Sequence, residues 1–142
     1  MSSMKAPCFL DTNILLYAAA GKVDEPRKFE VASRIVREAQ FSVSAQVIGE
    51  FYAVSRRKFA EVLSLADVHA WVESLIKFPF VEIDLALIRS AMFHAERFKI
   101  AFWDAALIAA SERLSVPVLY TEDLSHGQKY GMVTAINPFR AN

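Results

Sequence analysis

A single cysteine, Cys8, is all the thiol this chain possesses, which excludes an internal disulfide and any zinc site built on several cysteines. It lies in an apolar stretch, where a small side chain is expected simply to pack. Glycine and proline are scarce, at four and five residues, and there is no linker, repeat or low-complexity segment. The Gly-rich phosphate cradles of dinucleotide-binding and P-loop proteins are missing as well. The three histidines, His69, His94 and His126, show no paired ligand spacing, which disfavours zinc. Charge of one sign is also lacking: 16 basic residues balance 16 acidic ones, so any hold on nucleic acid has to be local. The apolar run Ile14 to Ala20 falls far short of the roughly 20 residues that span a membrane and reads as a buried helix. Met1 to Pro7 carries one lysine and no apolar stretch ahead of a small-residue cleavage site, so it is not read as a secretory signal, and a cytoplasmic location is expected.

What is present is apolar bulk. With 142 residues and 54% hydrophobic composition, the expectation is one domain over residues 1–142 with a substantial core. Apolar runs bounded by turn residues alternate with segments of helical period, the pattern of an α/β domain with a central, largely parallel β-sheet flanked by α-helices. Strands are expected at Ala6–Leu10, Phe41–Val43, Phe80–Ile83, Val116–Tyr120 and Met132–Ile136. Helices are expected at Asn13–Ala20, Glu25–Gln40, Ala45–Lys58, Leu65–Lys77, Leu85–Phe98 and Trp103–Leu114, where apolar residues recur every three or four positions. Ser64 with Asp67 resembles a capping box, and Ser44 and Asp84 suit N-caps. Those polar residues need no functional explanation.

Ligands of open α/β sheets bind beyond the carboxyl ends of the parallel strands. Asp11-Thr12-Asn13 ends the first expected strand and Thr121-Glu122-Asp123 the fourth, so both triplets face one edge. Asp104 opens the last long helix, where the positive dipole end favours its ionised form. Glu50 lies about a turn and a half into the helix after the second strand. Each acid also has a plain structural alternative. Asp11 and Asp123 suit turns, Glu50 suits a solvated helix face, and a helix-opening Asp such as Asp104 commonly serves as a cap.

Convergence is the stronger argument. Two carboxylates at 4 Å repel by about 4 kcal/mol at an effective dielectric near 20, and a fold tolerates several together only through protonation or a cation. Oxygen donors without histidine or cysteine clusters select hard ions such as Mg²⁺ or Mn²⁺.

In order along the chain, Phe9-Leu10-Asp11-Thr12-Asn13-Ile14-Leu15, the helical Glu50, Trp103-Asp104-Ala105 and Leu119-Tyr120-Thr121-Glu122-Asp123-Leu124 resemble the PIN-domain family. The likeness runs over nearly the whole chain. With the ending from Gly127-Gln128 to Asn137-Pro138-Phe139, it is most similar to the VapC-type toxins of toxin–antitoxin modules. The resemblance implies a parallel sheet between helices and a pocket for Mg²⁺ or Mn²⁺. It implies hydrolysis of RNA phosphodiesters, with one ion lowering the pKa of water and a second steadying the leaving 3′-oxygen. Asp11, Glu50, Asp104 and Asp123 carry over as the catalytic and metal-binding acids. Thr12, Asn13, Thr121 and Glu122 carry over as supporting residues. The division between Glu122 and Asp123 stays open, with Asp123 favoured. A small antitoxin covering the site and a homodimer are also implied.

Other readings fit less well. A haloacid-dehalogenase-type phosphatase requires a second Asp two positions after the first, where this chain has Asn13. A non-enzymatic, Mg²⁺-binding receiver-like domain wants its phosphoacceptor at the end of a middle strand, and the third expected strand instead runs through Glu82-Ile83-Asp84 into a helix. A stand-alone PIN nuclease without an antitoxin is a further alternative. For RNA contacts, Arg56-Arg57-Lys58 closes a helix and suits a solvated end, Arg97 and Lys99 precede the Asp104 motif, and Trp103, beside Phe102, reads as core rather than as a base-stacking surface.

Overall fold

The computed structural model describes residues 7–140. Ala6 of the first expected strand, and Met1 to Ala6 of the segment argued not to be a signal, lie outside the described residues. Among the described residues there are six strands, β1 (Cys8–Leu10), β2 (Phe41–Ser44), β3 (Phe80–Val81), β4 (Val118–Tyr120), β5 (Lys129–Tyr130) and β6 (Val133–Ile136). The six helices are α1 (Thr12–Ala20), α2 (Pro26–Glu38), α3 (Ala45–Lys58), α4 (Leu65–Leu75), α5 (Leu85–Phe98) and α6 (Phe102–Arg113). They form a mixed, mostly parallel sheet in the order β3-β2-β1-β4-β6-β5 with helices around it. Only β5 and β6 pair antiparallel.

The α/β class and largely parallel sheet are therefore as expected, while the ends differ. β3 stops two residues early and β4 starts two residues late. β5 was not anticipated at all. It pairs with β6 through a two-residue turn, Gly131-Met132, with Gly131 at φ 64°, a conformation that glycine adopts without strain. Every residue of β1 is buried, because β2 and β4 pair on both its sides, which is why it reads as one apolar run. Cys8 packs there as expected, and burial pushes its thiol up to about 12, so it stays protonated and inert. The Ile14–Ala20 run is indeed a helix with Ile14, Leu15, Leu16 and Ala20 buried. In α6 every residue from Ala105 to Ser111 is buried, and its alanines let α5 and the sheet approach closely. No helix among the described residues is long and apolar enough to cross a membrane.

Helix starts follow local chemistry. Ser44 Oγ accepts the Val47 N–H at 3.2 Å, Ser64 and Asp67 close a reciprocal capping box, and Asp84 Oδ1 accepts the Leu87 N–H at 2.9 Å. Each device satisfies backbone donors that a helix leaves open. Register then decides where the chemistry emerges. Leu10 aligns with Tyr120, and Tyr120 with Ile136. The Asp11 N–H donates to the Tyr120 carbonyl and the Thr121 N–H to that of Ile136, both at 3.0 Å. The last residues of β1 and β4 are thus level, and Asp11 and Thr121 leave the sheet side by side.

Candidate active site

Asp11 is the N-cap of α1. Its Oδ1 accepts the Thr12 N–H and its Oδ2 the Thr121 hydroxyl, each at 2.7 Å. With 5% of its surface exposed, this carboxyl is deprived of water. Its pKa is raised from 3.8 to about 7: burial raises it most, the two hydrogen bonds oppose the rise, and the charges of Asp123 and Glu50 add to it. Thr121, itself buried, also accepts the Asp123 N–H on its hydroxyl at 3.1 Å. One threonine side chain therefore joins the first acid to the turn that carries the last. Thr12 makes a matching link on the other side, donating its hydroxyl to Glu50 Oε1 at 2.9 Å.

Asp104 joins the group from α6. The cap of that helix is Ala101, without a side-chain hydrogen bond, and Asp104 stands in the first turn. Capping therefore does not account for it. Burial raises its carboxyl above the ordinary value, with Asp123 and then Glu50 adding to the effect. The expected help from the helix dipole is outweighed. Asp123 and Glu50 thus lie within electrostatic reach of both Asp11 and Asp104, and Thr12 and Thr121 bond to members of this set.

The other expected residues have surroundings of their own. Asn13 borders a small cavity between α1 and α3 with Tyr17 and Val54. Both oxygens of Glu122 are engaged by residues outside the acidic set. Its Oε1 accepts the Tyr17 hydroxyl at 2.8 Å and its Oε2 the Lys28 ammonium at 2.6 Å. The hydrogen bond that Lys28 donates to Glu122 raises the ammonium above its ordinary pKa. Trp103 is not core: it is 49% exposed. Its carbonyl accepts Gln46 Nε2 at 3.2 Å, a link between α3 and α6 that sequence reasoning missed. Gln46 precedes Glu50 by four residues and shares its helix face, a signal that was available. Lys28 and Tyr17 offered none, since Lys28 lies 94 residues from Glu122. The histidines stay apart: His94 meets Glu112 at 2.6 Å between α5 and α6, and His126 Nδ1 accepts the Asn137 N–H at 3.0 Å. The Arg56–Lys58 run forms an exposed helix end, as expected.

A profile of the PIN domain family matches residues 8–130. The chain belongs to the PIN domain family. Membership removes the phosphatase and receiver-like alternatives. Among solved structures, this PIN domain is similar to a toxin–antitoxin complex from Klebsiella pneumoniae, at 16% identity and TM-score 0.64 over 92% of this chain and 97% of that one. It is similar to VapC20 of Mycobacterium tuberculosis, described as a sarcin-ricin loop cleaving toxin, at 18% identity and TM-score 0.64 over 82% and 89%. VapBC2 from Rickettsia felis, solved with a DNA fragment from its promoter, gives 16% identity and TM-score 0.59 over 91% and 96%. At such identities the likeness is one of fold. No curated protein matches the sequence.

Among the described residues, no three His, Cys, Asp or Glu side chains are gathered tightly enough to cage a metal ion as they stand. The donor set nevertheless fits a hard divalent cation. All its atoms are carboxylate oxygens, and the charges that raise Asp11 and Asp104 come from other acids, a repulsion that a cation reverses.

Proposed function

We propose that this PIN domain, over residues 1–142, is an endoribonuclease dependent on Mg²⁺ or Mn²⁺ and acts as the toxin of a type II toxin–antitoxin module. The observation that carries the reading is the placement of Asp11 and Asp104, one carboxyl buried and the other partly so, each raised further by the charges of Asp123 and Glu50. Such an arrangement costs stability unless a cation completes it. A divalent cation, when bound, supplies the charge that lowers the pKa of water and steadies a leaving oxygen.

The chain's own residues do the positioning. Asp11, fixed by the Thr12 N–H and the Thr121 hydroxyl, offers a ligand with little freedom to lose. On this reading Glu50, tethered by Thr12, Asp104 in the first turn of α6, and Asp123 on the Thr121 turn are the further ligands. A small antitoxin covering this edge, a homodimer and a cytoplasmic location complete the reading. The antitoxin is supported by the toxin–antitoxin complexes among the similar folds, and RNA as substrate by the sarcin-ricin loop cleaving relative.

The test is cleavage of single-stranded RNA by the purified protein. Cleavage is expected in Mg²⁺ or Mn²⁺, leaving 5′-phosphate and 3′-hydroxyl ends, and none after chelation. Undiminished cleavage in excess EDTA rejects the mechanism. Active protein that never associates with a neighbouring small gene product points to a stand-alone PIN nuclease.

A further inference from the structure

The turn after β4 carries two consecutive acids, and the fold treats them differently. Asp123 has its N–H fastened to Thr121 and an exposed side chain. Glu122 is bound at both oxygens, by the Tyr17 hydroxyl at 2.8 Å and the Lys28 ammonium at 2.6 Å. Lys28 also donates to the Tyr17 hydroxyl at 3.2 Å, so the three groups close a ring of hydrogen bonds. Its ammonium stands 4.9 Å from the Tyr17 ring centre and 5.5 Å from that of Phe139, and the two rings meet edge to face at 5.0 Å. Arg27 Nη2 donates to the Phe139 carbonyl at 2.6 Å, fixing the C-terminal turn over this cradle. The Lys28 and Glu122 side chains are only 25% and 18% exposed. Charge-assisted bonds held out of water in this way are firmer than surface ion pairs. A carboxylate with both oxygens engaged and its charge countered has little left to offer a cation.

We propose that Lys28 and Tyr17 are positioning residues that hold the Glu122 carboxylate out of the acidic pocket, so that Asp123 is the acid this turn offers to a bound divalent cation. The proposal rests on the reading of the acidic edge as a metal centre. Releasing Glu122 adds a fifth mobile carboxylate beside that centre. The ion is then held more tightly in the wrong place.

The experiment titrates Mn²⁺ into the metal-free full chain, followed by the electron paramagnetic resonance of the free ion, with RNA cleavage measured in parallel. Lys28→Met tightens Mn²⁺ binding about three- to tenfold, and Tyr17→Phe, which changes no charge, about twofold. Cleavage by Lys28→Met falls about tenfold or more, the opposite direction to its affinity. Lys28→Met combined with Glu122→Gln restores the original Mn²⁺ affinity. Lys22→Met, which removes an equal charge at the exposed turn between α1 and α2, changes neither. Unaltered affinity in both Lys28→Met and Tyr17→Phe overturns the proposal alone, as does equal tightening by Lys22→Met, which would make it a field effect. An original protein that binds no Mn²⁺ overturns the metal-centre reading and this proposal with it.

Discussion

Asp11 and Asp84 both cap helices through a side-chain oxygen, and the fold handles their charges in opposite ways. Asp84 sits at the exposed start of α5, where Arg113 grips both its oxygens at 2.8 and 2.9 Å and lowers its pKa to about 2. Asp11 sits at the buried edge of the sheet, where burial and two acids raise it to about 7. The cap alone asks only for an oxygen acceptor, so it explains neither extreme. Arg113 makes Asp84 a structural anion, whereas the nearest charges to Asp11 make ionisation harder. A position that fights its own charge without a cation from the chain is where an external ion is expected.

The largest effect expected from this contrast is on catalysis. Asp104→Asn should reduce single-turnover RNA cleavage in Mg²⁺ by about a hundredfold or more. Melting in EDTA should show the variant as stable as the original or more so, since repulsion is relieved and no cap is lost. A folded variant with near-normal cleavage would take Asp104 out of the catalytic set.

The next effect is on the metal-free fold. Asp11 binds its proton more tightly when folded than when unfolded, so between pH 4 and 7 the unfolded chain is the more ionised. Stability should therefore fall as pH rises through that window, by up to about 4 kcal/mol. Mg²⁺ should oppose the fall, and Asp11→Asn should flatten it. Urea unfolding in EDTA at several pH values checks both, and a stability that climbs from pH 4 to 7 in EDTA would contradict the assignment.

A smaller loss is expected from Thr121→Val, which keeps the shape but leaves Oδ2 of Asp11 and the Asp123 N–H without their shared partner. The expected cost is about 1–3 kcal/mol, with the Asp11 titration, followed by carboxyl NMR, moving further up. The smallest effect belongs to the other member of the comparison. Arg113→Met should return the Asp84 titration from about 2 toward 3.8. What the pair contributes is present above the ordinary pKa and lost as pH falls through about 2. The melting temperature near neutral pH should hardly move, and cleavage should be unchanged.

The sequence revealed best what was local or repeated. The parallel sheet, the α3 and α5 boundaries and the caps at Ser44, Ser64 and Asp84 follow from periodicity and hydrogen-bond chemistry within a few residues. Asp11 and Thr121 were placed at one edge because strand ends are ordered by topology. What escaped was set by partners distant in sequence. β5 is two residues long and exists through its pairing with β6. Trp103 has the composition of a core residue, and its exposure is decided by how the first turn of α6 packs rather than by its own chemistry. Glu122 and Asp123 are neighbours with the same charge, and the difference between them comes from Lys28 and Tyr17 on other helices.

The sheet is bounded on both sides by two-residue strands, β3 at Phe80–Val81 and β5 at Lys129–Tyr130. A foreign strand laid along either margin would find a ladder of two residues, with a lysine in one of them, and longer edges are what strand-by-strand association requires. Among the described residues, the helices and the acidic end of the sheet are the surfaces that these short edges leave to a partner. Recognition becomes a matter of side chains rather than of shared backbone.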